Sequence, residues 1–546
     1  MININNVKYL LIILLSTFLL FIFLFNIINF SGNKFLYFLF SLLSFYLFLS
    51  IFFERKYFTE IFISIYLWLG YWWKFSYLQF SKISDKIYLS ASEGFTQQKI
   101  SSNVLNDTFI SLIIAFSAII FSFKLFKLLN KDYFENQYYE EKYFIDLYRK
   151  FRISIILIYI FLFIFISFSN LYFGIYQKGL LNSNNISIII INIYKWLILF
   201  GLSFIGSIIL FYEIQIKSKN LFYVSIILFF ENFLIATSHL SRAMIANSSS
   251  LLYGIYKSLK FENVQKRMRF ISKLLLIVLI FFSLSFLSVI ELRKINFHEN
   301  FSGYKQVVKE NFTVLEDELK IKKEKLKVKD TNLKLETNKK YLINNKNKLE
   351  NKEISNIIIN IKKYLLIFFQ EILYLTSKRW VGMESMILVT KNNERNFNTL
   401  IDAFDDKFSK VTKPYYEKVF IFRDTELNNS TNMMKNQSDF TYNNSGQFVY
   451  GVITPGFISF LHYANNNYFL FFSVFLTIMI FLYIEKFISF MTSNNLILVS
   501  LLSHVLVYRL IHFGYLPHQS YLLFGTILMN LLLLYFLKKT YIFFKK

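Results

Sequence analysis

Residues 108–129 read TFISLIIAFSAIIFSFKLFKLL, and no charge enters the run before Lys124. A stretch of this length and apolarity is long enough to cross a hydrocarbon layer as a helix. It is one of a series. Similar runs occur at 9–30, 35–53, 57–73, 153–176, 186–214, 221–237, 243–256, 274–290, 468–484, 496–511 and 520–537. That makes about twelve candidate spans of roughly 17–25 residues each. A water-soluble chain does not repeat such runs, so the expected fold class is an all-α polytopic membrane protein. The 57–73 run is short, carries Glu60, and ends in Tyr71-Trp72-Trp73-Lys74, which reads as an interfacial anchor. The first run has no small-residue cleavage site behind it and reads as a retained helix.

Composition agrees. The 546 residues are 55% hydrophobic and 20% aromatic, with three prolines and no cysteine, and mean hydropathy is +0.42. Without cysteine there is neither a disulfide nor a thiolate metal site. The formal charge of +25 sits in short loops and one lysine-rich stretch. Membrane orientation and anionic lipid account for it without a nucleic-acid partner. With the N-terminus inside, the basic loops 54–56, 131–152, 217–219, 257–273 and 485–495 and the C-terminal tail all become cytoplasmic, as the positive-inside rule requires. Both termini are then cytoplasmic.

Three parts follow: a membrane bundle of about nine spans over 1–290, a large extracytoplasmic insertion over 291–467, and a C-terminal membrane part of about three spans over 468–546. The insertion is expected to be helical. Phe312, Leu319, Leu326 and Leu333 recur every seven residues, although Lys322, Lys329 and Glu336 leave the seam half apolar. Residues 356–376 are greasy but interrupted by Lys362, Lys363, Gln370 and Glu371. They read as a helix lying at the outer interface, since a further span would put the basic tail outside.

Three outer-edge groups carry the chemistry. In the turn 237–243, Ser241 and Arg242 stand at a helix start, where free N–H groups and a fixed cation suit an anion. The competing reading of Arg242 is an arginine snorkelling to headgroups. In the insertion, Arg379-Trp380-Val381-Gly382-Met383-Glu384 joins a planar cation, a glycine that admits close approach, and a carboxylate that can orient or accept a proton. The competing reading is a structural Arg–Glu pair. Lys391 and Arg395 extend the same surface. The third group is Arg509, His512 and His518, with His504 a little over a turn below Arg509, and it suits a pyrophosphate. Packed histidines are the competing reading. His462 and Tyr463 complete the outer polar set. Glu231 and Lys195 lie inside neighbouring spans and are candidates to pair. No phosphate loop, zinc spacing, nucleophile elbow or dinucleotide fingerprint is present. The outer loop 75–107 has Asp85 and Glu93 but no acidic pair.

This layout resembles the O-antigen polymerase and O-antigen ligase superfamily. The resemblance rests on about twelve spans with both ends inside and a long outer loop before the last three. It also rests on Ser241-Arg242-Ala243-Met244-Ile245 ahead of that loop, on Gly456-Phe457-Ile458-Ser459-Phe460-Leu461, and on Tyr508-Arg509. It implies a GT-C-like bundle in the bacterial inner membrane that polymerises undecaprenyl-diphosphate-linked oligosaccharides at the outer face, with no metal or other cofactor. The implied partners are the lipid-linked oligosaccharide and membrane lipid, with a chain-length regulator as a further one. The functional arginine of the family's long loop maps to Arg379, and secondarily to Arg395. The ligase histidine has no clear counterpart, which favours polymerase over ligase. A transporter or flippase of lipid-linked sugars predicts internal repeats and broken helices. A glycosyltransferase using a polyprenyl-phosphate sugar predicts an acidic pair in the first outer loop. A non-enzymatic envelope protein predicts that Arg242 and Arg379 lie far apart.

Overall fold

Backbone N–H and C=O groups in hydrocarbon find partners only within a helix or a closed barrel, so apolar runs become helices. In the computed structural model the chain opens with α1 (Ile4–Asn29) and α2 (Lys34–Leu49). Next, α3 (Phe58–Leu67) passes through a π-helical turn, Trp68–Trp73, into α4 (Lys74–Phe80). Then come α5 (Ser102–Leu129), α6 (Lys142–Phe173), and α7 (Ile188–Trp196), which passes through a second π-helical turn, Leu197–Gly201, into α8 (Leu202–Gln215). The chain continues with α9 (Leu221–Ser238), α10 (Ala246–Ser258) and α11 (Val264–Asn300). Among the described residues, two short helices follow, α12 (Met383–Lys391) and α13 (Phe397–Phe404), and then α14 (Gly456–Leu461). The last three are α15 (Asn467–Met491), α16 (Leu496–Ile511) and α17 (Pro517–Lys545). The structure describes residues 4–52, 57–80, 101–130, 142–177, 187–218, 220–241, 246–259, 264–300, 380–391, 395–404, 441–442, 448–449, 456–513 and 517–545.

The described residues form an all-helical fold, apart from a two-residue antiparallel pairing of Thr441–Tyr442 with Phe448–Val449. Each of the twelve apolar runs is helical over most of its described length. Among the described residues, seven helical stretches are long and apolar enough to cross a membrane: Lys34–Phe52, Ser102–Leu129, Phe144–Phe173, Ile189–Gln215, Leu221–Ser238, Gln265–Val289 and Asn467–Met491. Ile13–Asn29, Leu496–Ile511 and Ser520–Phe536 are apolar but shorter. The runs at 57–73 and 243–256 are not among them: Glu60 and the Tyr and Trp side chains of 66–73 make the first less apolar, and Asn247, Ser248, Ser249 and Ser250 make the second polar. Residues 312–333 and 356–376, read above as helical, lie outside the described residues.

The packing is graded as lipid-facing and central helices should be. Only 22% of the apolar window of α6 is buried, and the same of α11, against 67% for α7–α8. Apolar surface left uncovered on that scale needs a hydrocarbon environment. The centre is α16, in which every side chain from Ile497 to Val507 is buried, against α3, α8, α10 and α15. Lipid tails are as apolar as leucine, so close backbone approach and hydrogen bonds must drive such contacts. Ser250 and Gly254 supply both along one face of α10. A Cβ added at Gly254 would lie 2.7 Å from the Ile497 Cα, and Ser500 donates to the Ser250 carbonyl at 2.7 Å. Gly254→Leu is therefore expected to cost about 3 kcal/mol through overpacking and to lower the unfolding temperature in detergent. Leucine at Gly525, where an added Cβ meets nothing within 4 Å, is the control expected to leave it unchanged.

Buried charges fasten helix ends. The sequence reading ends the tenth run at residue 484 and gives 485–495 to a loop. The helix instead continues to Met491, with Glu485 inside it. Its carboxylate accepts from the N–H groups of Phe58 at 2.9 Å and Thr59 at 2.7 Å, so the orphan donors at the start of α3 absorb its charge. Glu213 likewise accepts from Arg152 at 2.6 and 2.9 Å and from the Tyr148 hydroxyl at 2.7 Å. The boundary read at residue 290 falls within the continuous helix α11.

Candidate functional site

The site begins at Gly70, in the π-turn after α3. A side chain there would occupy the place of the Val381 carbonyl, and a Cβ on Gly382 would meet the Gly70 carbonyl in turn. Two backbones can approach this closely only where neither carries a Cβ. Gly456 closes the third side, since its Cβ would lie 2.8 Å from the Ile511 carbonyl oxygen and 3.0 Å from Val381 Cγ1. The segment 380–382 is thus clamped between α3, α14 and the end of α16.

One turn on, Lys74 holds the clamp. Its Nζ donates to the Trp380 carbonyl at 2.8 Å and pairs with Glu384 at 2.8 Å, with both side chains almost wholly buried. Glu384 lies in the first turn of α12, where the helix dipole also favours a carboxylate. This corrects the reading of Tyr71-Trp72-Trp73-Lys74 as an interfacial anchor. Tyr71, Trp72 and Lys74 are buried: Trp72 packs on Phe45 and donates to Ser41 of α2, Tyr71 packs on Phe116 of α5, and Lys74 is held by Trp380 and Glu384. Glu384 has a structural cation partner, and it is Lys74.

Aromatic and imidazole groups line the floor. The Tyr66 hydroxyl hydrogen-bonds His504 Nε2, and its ring lies 5.3 Å from Trp380 and 5.9 Å from Tyr508. His512 stacks on Tyr508 at 4.2 Å, and its Nδ1 contacts the Tyr508 carbonyl at 2.8 Å. To one side, Arg395 donates to His462 Nε2. Burial lowers the Arg395 pKa and Asp107 opposes that shift. Burial first, and then the Arg395 cation, push His462 down to about 3. His462 is therefore neutral in the fold, with its proton on Nδ1. In the unfolded chain it takes a proton below about 6.5. The folded form binds that proton only near 3, so stability is lost as pH falls from about 6.5 toward 3. At pH 5 the deficit approaches about 2 kcal/mol. Thermal unfolding between pH 7.5 and 5 should show a steeper fall for the native chain than for His462→Gln.

A second polar group surrounds Tyr176. Its ring stacks on His239 at 4.6 Å and carries Lys195 Nζ 5.6 Å from its centre. Arg509 is close enough for its charge to act on the phenol. Arg509 also donates to the Ser520 hydroxyl at 2.9 Å. Asn170 ties the corner together, donating to the carbonyls of Tyr176 at 3.1 Å and Ser238 at 2.9 Å. Ser241 is buried here. Its N–H bonds the Ala236 carbonyl at 3.0 Å, and Leu240 takes the left-handed conformation that closes α9. Neighbouring residues at the C-terminal end of α16 thus reach both groups, Tyr508 packing against Tyr66 and the Arg509 charge acting on Tyr176.

Arg242 and Arg379 lie outside the described residues, as does the side chain of His518, whose backbone belongs to the first turn of α17. Their sequence neighbours are described: Ser241 belongs to the Tyr176 group and Trp380 to the Tyr66 group. The suggested Lys195–Glu231 pair does not form. The Glu231 carboxylate meets the Ser203 hydroxyl at 3.2 and 3.3 Å. Ser203 is eight residues beyond Lys195, about 12 Å along the helix. Sequence reasoning missed Gly70, Lys74, Tyr66 and Tyr176 as site residues. One signal was available: Gly70 interrupts an aromatic run in which every neighbour is bulky. Among the described residues no group of three or more His, Asp or Glu side chains is placed to hold a metal ion.

Fold and site together define an all-helical protein, with seven apolar helical stretches of membrane-crossing length among its described residues, whose long insertion is fastened into one end of the bundle. Compared with protein-family models, curated proteins and solved structures, the chain matches none of them.

Proposed function

We propose that this chain is a membrane glycosyltransferase that polymerises undecaprenyl-diphosphate-linked oligosaccharide repeat units. It works at the outer face of the bacterial inner membrane, in a bundle of about twelve spans with both termini cytoplasmic. The observation that carries this reading is the clamp. The segment beginning at Trp380, next to Arg379, is wedged between α3, α14 and α16 and locked by Lys74–Glu384. A partner-binding arm would stand off the bundle, whereas a catalytic loop has to be held rigidly against it.

In this reading Arg242, Arg379 and Arg509 face the donor diphosphate. The acceptor hydroxyl attacks the anomeric carbon, the bond from that carbon to the diphosphate oxygen breaks, and negative charge grows on the leaving lipid diphosphate. Fixed guanidinium groups stabilise that charge most where it develops. Glu384 holds the loop through Lys74. The hydroxyl proton passes to His512, whose Nδ1 donates to the Tyr508 carbonyl and so makes Nε2 the basic nitrogen. Ser241, Arg395 and His518 belong to the substrate-binding surface.

In cells that depend on this chain for their polysaccharide, Arg379→Ala and Arg242→Ala, each at native protein level, are expected to leave single repeat units in place of long chains. Unchanged chain lengths would sink the assignment. The two π-helical interruptions, Trp68–Trp73 and Leu197–Gly201, favour a second reading, a transporter of lipid-linked sugars, because such turns often mark functional helices. The same chain-length measurement separates the two readings, since a transporter defect leaves no repeat units at the outer face.

A further inference from the structure

Helix α13, of sequence FNTLIDAF, turns Leu400 inward at 2% exposure. Phe397, Ile401 and Phe404 are 51%, 51% and 41% exposed, and their spacing of four and three residues puts them on one face. The helix lies across the ends of two spans. Phe397 packs edge-on against Phe469, in the first turn of α15, with ring centres 5.4 Å apart. Phe404 packs against Phe460 at 4.8 Å and against Phe513, just past the end of α16, at 6.2 Å. The start of α15 and the end of α16 belong to the same side of an antiparallel pair, so α13 sits at that boundary. A stripe of exposed apolar residues runs down α15 from the same place: Tyr468, Phe472, Leu476, Ile480 and Tyr483. That stripe recurs at helical spacing along a candidate span, as a lipid-facing surface does. The exposed face of α13 continues it at its outer end.

We infer that α13 is an interfacial foot, its Phe397–Ile401–Phe404 face inserted among the acyl chains of the bulk lipid leaflet at the outer ends of α15 and α16. A short amphipathic helix in that position lies in the membrane plane with its apolar side below the headgroups. The foot holds Arg395 and His462, which its first turn adjoins, at headgroup level. The inference needs only that the chain spans a membrane, and it is independent of the polymerase reading.

The absence of cysteine from the sequence makes the test direct. Ile401→Cys in the full-length chain accepts one spin label at a half-exposed position. The labelled protein is reconstituted into vesicles of phosphatidylethanolamine and phosphatidylglycerol. Collision rates are then compared for oxygen, which concentrates among acyl chains, and a water-soluble nickel chelate. Leu476→Cys, on the α15 stripe, and Lys391→Cys, exposed at the end of α12, are the lipid and water references. The expected result at residue 401 is an oxygen preference several-fold above that at residue 391 and close to that at residue 476. A label as accessible to the chelate as the one at residue 391 overturns the proposal. So does a label shielded from both reagents, which would mean that protein covers the face, either another segment of this chain or a second copy.

Discussion

Gly70→Ala is expected to unseat residues 380–391 and, on the proposed function, to abolish polymer formation, although it adds a single methyl group. The new carbon would overlap the Val381 carbonyl oxygen and lie 3.2 Å from the Val381 carbonyl carbon. These are backbone atoms, so no rotamer change relieves the clash. Neither side has room to retreat, because Gly382 is already against the Gly70 carbonyl and Gly456 against Val381 and the Ile511 carbonyl. Overpacking in a close-packed interior typically costs about 1–3 kcal/mol. Here the displacement also breaks the 2.8 Å bond from Lys74 to the Trp380 carbonyl, leaving buried polar groups unpaired at a further cost of about 1–3 kcal/mol. The segment is expected to become sensitive to protease in membranes while the bundle stays folded. Gly525→Ala, in open space, supplies the baseline. A Gly70→Ala chain that resists protease as well as that control would show that the clamp yields and is not structural.

The second large effect concerns the buried ion pair. Lys74 and Glu384 side chains are 4% and 6% exposed and 2.8 Å apart. Removing one partner strands the other charge in a low-dielectric interior, at a cost of roughly 3–5 kcal/mol. Lys74→Met and Glu384→Leu are therefore each expected to destabilise strongly. The double variant replaces both charges with apolar groups and should recover about 2 kcal/mol or more relative to the sum of the singles. Denaturant unfolding in detergent reads the coupling, and strictly additive effects would contradict a functioning pair. On the proposed function, polymer length measured on the double variant then bears on the role of the carboxylate. Folding with activity means that Glu384 only holds the loop. Folding without activity, together with an inactive Glu384→Gln chain that keeps the Lys74 bond to Trp380, means that the carboxylate takes part in the reaction.

The helices were legible in the sequence. A run such as 108–129 carries its own instruction, because hydrocarbon forces each backbone group to bond within a few residues of itself. The short helix α10 was legible too, but its role was not. Ser250 and Gly254 look like a polar interruption until α16 is laid against them. Glu485 looked like the start of a loop because a carboxylate in a span has no visible partner, and its partner is the end of a helix more than four hundred residues away in the chain.

The candidate site divides in the same way. Glu384, Arg395, Arg509 and His512 were legible as polar residue types beside apolar runs, since such charge is visible locally. Their partners were not: Lys74 for Glu384, His462 for Arg395, Ser520 for Arg509. Lys74 and Trp380 are 306 residues apart, and no local pattern selects one lysine among many for that carbonyl. Run length and apolarity are properties of a window of sequence, so the all-helical, membrane-type architecture follows from the residues in order. The pairing of buried charges and the contact of Gly70 with Gly382 depend on which helix ends meet, and that depends on packing summed over the whole bundle.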